Sequence, residues 1–371
     1  MKKIRMFLFM RESFNHMTSI SGFDALFTEL GKLNDNNFES VFVSNYDLQP
    51  TKESYKWIKQ KLRIYKPQVP YGRPTLSPFV QYKHEIAASS LVQSFTLNPD
   101  ALLFLAFSEN QYGAVFYSLP DELKKRIIIF VHQPPSWFKL NWKDLNEFSK
   151  LGAIITLSSE QTKFFKGISS TKVYQINHGV RLDFFKPPLD YQFPKQPAIV
   201  FVGHWLRDIS TFEKAIRLIK KEIPNLKINC VVPWNARERL EFLKISVNEE
   251  VSWFADLSNE DLLKLYQEAS LMFLPLIDST ANNAMNEAIA CGLPVVTTDI
   301  GGTRDYLSPE FASFCEPGNH EQHAAEVIKW LNLIQQGKVN KEEIRKHAND
   351  NLDWTKIAEA LTKEIQQLTN D

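Results

Sequence analysis

"AIVFVGHWLRDISTFEKAI" (Ala198–Ile216) starts as an almost wholly apolar, β-branched run, breaks at Gly203, and resumes with apolar residues at helical spacing, Phe212, Ala215 and Ile216. Strand, polar turn and amphipathic helix in that order form the unit of a parallel sheet covered by helices. The pattern repeats downstream. "KINCVV", "VSWFA", "LMFLPL" and "PVVTTD" read as further strands, with helices starting near Ser210, Asn235, Ser258 and Asn283. Upstream, "KIRMFLFM", "ESVFVS", "ALLFLAF", "RIIIFVH", "AIITLS" and "KVYQIN" are equally apolar, as strands buried on both faces should be. Between the two series lies Asn177–Pro197, with four prolines and no helical period. These features predict an α/β chain of two Rossmann-like, doubly wound parallel-sheet domains that face a cleft: residues 1–178, a hinge at 179–197, residues 198–352, and a C-terminal helix over 353–371 that packs back toward the first domain.

The chain has 371 residues, 44% of them hydrophobic, enough to fill two cores. Lys plus Arg and Asp plus Glu stand at 43 each, which gives no reason to expect a nucleic-acid partner. The halves differ: 22 basic and 15 acidic side chains precede Gly179, and 21 and 28 follow from it, so the front half is positive and suits anionic partners. Cys230, Cys291 and Cys315 are too scattered for a disulfide framework or a metal cluster, and a reducing cytoplasm fits them. The opening "MKKIRMFLFMRES" has an apolar segment shorter than a signal-peptide core, and the longest apolar runs fall far below a membrane span. A cytoplasmic protein, at most peripheral at the inner face of a membrane, is expected.

In this architecture ligands meet the carboxyl ends of the strands and the N-termini of the helices that follow. After the strand ending at Gly203 come His204, Trp205 and Arg207, then a helix whose cap is expected at Ser210 or Thr211. Free N–H groups beside a guanidinium fork suit a diphosphate; a surface Arg207 paired with Asp208 is the plainer alternative. After "LMFLPL", the residues Asp278, Ser279, Thr280, Asn282 and Asn283 are of the kind that cap a helix and hydrogen-bond a polar ligand. Glu287, one turn inside, can accept hydrogen bonds from two neighbouring hydroxyls, as on a ribose; the plainer alternative is a solvated helix acid. His132 ends a buried strand just before two prolines, where a substrate contact and a structural role are both open. The polar loop after the first strand, with Ser21 and Gly22 at its end, lacks a Gly-x-Gly-x-x-Gly signature, and the chain has no P-loop, His-Glu-x-x-His, Gly-x-Ser-x-Gly or Asp-x-Asp. No cofactor and no metal are expected.

With those residues placed, the chain from "IITLSSEQTKFF" onward resembles the donor domain of retaining GT-B glycosyltransferases, the family 4-like group 1 enzymes. "INHGVRLDFFKP", "FVGHWLRD" and, most specifically, "NEAIACGLPVVTTDIGGTRDYL" carry the resemblance. It implies a retaining hexosyltransferase that uses a nucleoside diphosphate sugar and a carbohydrate, lipid-linked or small-molecule acceptor. Glu287 would hold the ribose, Arg207 the diphosphate, Ser279–Asn283 the sugar, and His132 would lie near the transferred sugar. The family shows two Glu separated by seven residues; here the first position is Ser279. His204 stands where the family has Arg.

Two further features bear on partners. "KESYKWIKQKLRIYKPQVPYGRP" (Lys52–Pro74) interleaves seven basic residues with Tyr55, Trp57, Tyr65 and Tyr71, a composition suited to an anionic membrane or a polyanionic glycan, or to a solvated helix and loop. Ser279 in place of an acid fits a rival reading, a non-catalytic GT-B subunit serving a partner enzyme. A sugar-nucleotide epimerase or a phosphorylase on the same fold is a second rival.

Overall fold

The computed structural model describes residues 4–9, 22–32, 38–43, 90–109, 115–116, 119–142, 144–190, 192–248 and 251–370. The chain divides into two compact units, residues 1–176 with 355–371, and residues 177–354. The segment 179–197 therefore groups with the second unit. The final helix, Trp354–Asn370, belongs almost wholly to the first, where Thr355 Oγ1 donates to Glu29 Oε2 at 3.4 Å.

In the first unit six parallel strands are ordered β2-β1-β3-β4-β5-β6: β1 (Ile4–Phe9), β2 (Phe38–Val43), β3 (Leu102–Leu105), β4 (Ile127–Phe130), β5 (Ala153–Thr156) and β6 (Lys172–Gln175). Every residue of β3, β4 and β5 is buried, which is why these segments carry almost no polar side chains. The edge strand β6 is exposed at both ends and places Lys172 there. The core continues into an aromatic cluster. Phe138 meets Phe165 edge-to-face at 5.1 Å and Phe148 at 6.0 Å, and Trp142 meets Phe148 at 4.7 Å. These rings bind the helix Pro135–Asn141, which opens directly after "VHQP", to the helix Ser159–Ile168 and the short helical turn Leu145–Lys150. Pro135 stands in the first turn, where a missing N–H costs nothing and a fixed φ favours the helix.

The second unit is also a six-stranded parallel sheet, ordered β12-β11-β10-β7-β8-β9: β7 (Ala198–Val202), β8 (Lys227–Val231), β9 (Ser252–Phe254), β10 (Leu271–Leu274), β11 (Val295–Thr298) and β12 (Ala312–Cys315). The order reverses between β7 and β10, so the loops leaving those two strands diverge and open a crevice at their carboxyl ends. This doubly wound α/β arrangement in both units is the architecture read from the sequence. β12 has no counterpart in that reading. The helices begin at Ile209, Trp234, Asn259 and Asn283, within a residue of the positions expected. The cap of the first does not sit where the side-chain pattern put it: Asp208, not Ser210 or Thr211, is the N-cap, accepting from Thr211 N at 3.0 Å and from Thr211 Oγ1 at 2.6 Å. Asp208 is thereby committed to its own helix and is not the partner of Arg207. All three cysteines are buried.

Phe138 is fully buried at the centre of four rings, so Phe138→Ala should lower stability by about 3–5 kcal/mol in denaturant titrations, the usual cost of deleting a buried aromatic ring.

Candidate functional site

At the switch point the loops after β7 and β10 are zipped together. Asp208 N donates to Pro275 O at 2.9 Å, Ile277 N donates to Leu206 O at 3.0 Å, and Arg207 and Leu276 form an antiparallel bridge. The turn that allows this is strained: Gly203 has φ 86° and Leu206 has φ 58°, a left-handed conformation rare for a branched side chain. Gly203 also lies directly under the arginine. A Cβ there would lie 2.9 Å from Arg207 Nη2, because the guanidinium folds back over the turn.

That fold-back fixes the arginine. Its Nε donates to Val202 O at 3.0 Å, Nη1 to Trp205 O at 2.9 Å, and Nη2 reaches Asn282 Oδ1 at 3.4 Å. Burial pushes its pKa down to about 10, which leaves it a cation at neutral pH. Asn282 is the N-cap of the helix Asn283–Ala290, its Oδ1 accepting from Met285 N at 3.4 Å. Ser279 and Thr280 are buried just ahead of it. Ser279 N donates to Asp278 Oδ1 at 2.8 Å, while Ser279 O accepts from Gly302 N at 3.1 Å. Gly301, φ 56°, permits this approach, since any Cβ there would collide with the Ser279 carbonyl.

Glu287 is not a solvated helix acid. It is 5% exposed, and Tyr266 Oη donates to its Oε2 at 2.8 Å, the one hydrogen bond to that carboxyl among the described residues. Burial raises its pKa to about 7, against the lowering effect of the Tyr266 bond. The same surroundings push the Tyr266 hydroxyl well above its ordinary value, by burial first and then by the Glu287 charge, while Arg207 acts on it in the opposite sense. Arg207, Tyr266 and Glu287 thus form one electrostatic cluster at the ends of β7 and β10. Tyr266 escaped the sequence reading because, in the helix Asn259–Gln267, it occupies an ordinary core-facing position. His204 lies half-buried in the β7 turn and Asn283 half-buried at the start of its helix.

In the first unit His132 follows β4. Its ring stacks on Phe107 at 4.6 Å, and Nε2 lies 2.6 Å from Ala106 O, a carbonyl that can only accept, so the proton sits on Nε2. Burial, partly offset by the Ala106 carbonyl, pushes its pKa down to about 4, which keeps the ring neutral at ordinary pH. Glu109, a residue the sequence gave no reason to single out, holds the turn from beneath. Its Oε1 accepts from His132 N at 2.5 Å and Gln133 N at 2.8 Å, and burial raises its pKa. Gln161 closes the other side, donating to Val131 O and Gln133 O. Gly22, φ 119°, is buried at the head of the helix Phe23–Lys32. Ser21 and the basic segment Lys52–Pro74 lie outside the described residues.

Comparison with known proteins bears on the fold and on the second unit. The sequence pattern of glycosyl transferases group 1 matches residues 190–348. D-inositol 3-phosphate glycosyltransferases of Mycobacterium sp. strains KMS and JLS are 25% identical over 177 residues, 43% of this chain; the match spans only 39% of their length. Among solved structures, sucrose-phosphate synthase from Thermosynechococcus elongatus superposes with a TM-score of 0.71 at 15% identity over 99% of both chains. An α,α-trehalose 6-phosphate synthase from Burkholderia multivorans gives 0.69 at 12% identity, covering 100% of this chain and 99% of the other. The fold is GT-B, and the second unit carries the pattern of a group 1 glycosyltransferase. No described helix is long and apolar enough to cross a membrane.

Because its pKa is raised on folding, Glu287 binds a proton more tightly in the native chain than in the unfolded one, and stability falls as pH rises from about 4.5 toward 7. Glu287→Gln removes that pH dependence. The wild type should lose on the order of 2–3 kcal/mol relative to Glu287→Gln between pH 4.5 and 8 in urea titrations; parallel pH profiles would exclude a raised pKa.

Proposed function

We propose that the chain transfers a hexose-type sugar from a nucleoside diphosphate to an acceptor hydroxyl with retention of anomeric configuration. The observation that carries this reading is the joining of Arg207 to the Asn282-capped helix, with the Glu287 carboxyl one turn below. A diphosphate lying across the capped helix would meet a fixed cation and free N–H groups together, while ribose hydroxyls would donate to Glu287. Gly203, His204, Asp278, Ser279, Thr280 and Asn283 would complete the donor cradle.

In the reaction the bond from the anomeric carbon to the diphosphate oxygen breaks, and its electron pair leaves with the diphosphate. The acceptor oxygen bonds the same carbon from the same face, and its proton passes to the departing diphosphate. Charge grows on the leaving group as the bond breaks, so Arg207 and the helix N–H groups stabilise the transition state more than the ground state without a metal ion or another cofactor. His132, kept neutral by burial, would lie near the transferred sugar. The acceptor, a carbohydrate or a lipid-linked or small-molecule hydroxyl, would bind the first unit near Gly22, with the basic segment Lys52–Pro74 as the part that contacts an anionic surface. The Ser279 hydroxyl, turned toward Thr280 O at 3.4 Å, supports a second reading, a donor-binding subunit without turnover.

A panel of UDP-, GDP- and ADP-sugars should identify a donor that raises the melting temperature and releases its nucleoside diphosphate when acceptor is added. Arg207→Ala should lower kcat at least about tenfold, and Glu287→Ala should mainly raise the donor KM. Donor binding without any release in the presence of acceptor would favour the non-catalytic subunit. Donor isomerisation without acceptor would favour an epimerase.

A further inference from the structure

The turn after β8 repeats, one strand over, the device that holds Arg207. Arg207 Nε donates to Val202 O, five residues back; Arg237 Nε donates to Val232 O at 2.9 Å, also five residues back. The carboxyl ends are joined in a row, Gly203 N to Val231 O at 2.8 Å and Val232 N to Phe254 O at 2.9 Å, so the two arginines lie on neighbouring turns of one sheet edge. Their remaining donors differ. Both Nη atoms of Arg207 are engaged, whereas Arg237 Nη2 is buried with no hydrogen-bond partner among the described residues. A buried donor without an acceptor is costly, and a ligand that supplies one removes the cost.

The surroundings of Arg237 define that ligand's shape. Its guanidinium lies 4.2 Å over the ring of Trp234 and 5.6 Å from that of Trp253, which is braced edge-to-face by Phe242 at 5.9 Å. Trp234 is 65% exposed, an unusual position for the largest apolar side chain on the same edge as the Arg207 turn. A flat cation, a flat open ring and an unmet donor call for a planar heteroaromatic ligand with acceptors on its edge.

We propose that Trp234 and Arg237 form a nucleobase platform, the base stacking on Trp234 and presenting its acceptor edge to Arg237, and that the base is guanine. The proposal rests on the nucleoside-diphosphate reading of the β7 turn and deepens it. Guanine offers adjacent acceptors, O6 and N7, to a guanidinium fork; adenine pairs N7 with an amino donor, and uracil sets O4 beside a ring N–H. Stacking on an aromatic face tolerates every base, so the two side chains should separate in their effects.

Isothermal titration of the full chain with GDP, UDP and ADP, for wild type, Trp234→Ala and Arg237→Ala, tests this, with circular dichroism confirming that each variant is folded. Wild type should bind GDP about tenfold or more tightly than UDP or ADP, Arg237→Ala should erase that preference, and Trp234→Ala should weaken all three alike. Nucleotide binding by wild type that neither substitution alters, or a UDP or ADP preference that survives Arg237→Ala, overturns the platform and leaves the donor reading standing. No nucleotide binding by wild type overturns both.

Discussion

The second unit is organised around a carboxyl group kept from water. Glu287 lies on a helix whose residues from Ala284 to Ala290 are all buried, and its main compensation is the Tyr266 hydroxyl. An acid in that setting costs free energy unless it is protonated or fully hydrogen-bonded. The same helical turn does a second job. Asn286 Nδ2 donates to His178 O at 2.8 Å, while Tyr306 Oη accepts from His178 N at 2.9 Å, so the segment that enters the unit is held by the residue beside the buried acid. Gly179 completes the arrangement, since a Cβ there would meet the Trp354 ring at 2.5 Å. Moving the helix would disturb both the acid and the chain entry.

The sheet edge shows how side chains from the following loops close the strand ends. Carbonyls at the carboxyl ends of the strands lack the next ladder partner, and two of them, Val202 at the end of β7 and Val232 just after β8, are satisfied by arginines that turn back from the following loop. The guanidinium then stands at the strand end with little rotamer freedom to lose, which favours planar, charge-assisted contacts over a mobile ammonium. In the first unit the corresponding place is held by a neutral histidine with one ring nitrogen committed to a backbone carbonyl.

The sheets were legible because strands buried on both faces must be apolar, and helices between them must keep a 3.6-residue stripe. β12 was not, since Ala312–Cys315 is a four-residue edge strand with one large apolar side chain, Phe314, and is too short for a periodic signal. The Asp208 cap was misplaced because Asp208, Ser210 and Thr211 all have the chemistry of a cap, and only the backbone bond to Pro275 decides among them. Arg207 and Glu287 were readable from their neighbours in the chain. Tyr266 and Glu109 act through contacts 21 and 23 residues away, and no local pattern distinguishes them from an ordinary helix tyrosine or loop acid.

The most direct measurement is the titration of the Glu287 carboxyl by carbon NMR, with and without the nucleoside diphosphate that stabilises the chain most. The account predicts a midpoint near 7 in the free protein and a clear downward shift with nucleotide, because ribose hydroxyls that donate to the carboxylate favour its charged form. A midpoint in the ordinary carboxylate range, or one that nucleotide leaves unmoved, would contradict it.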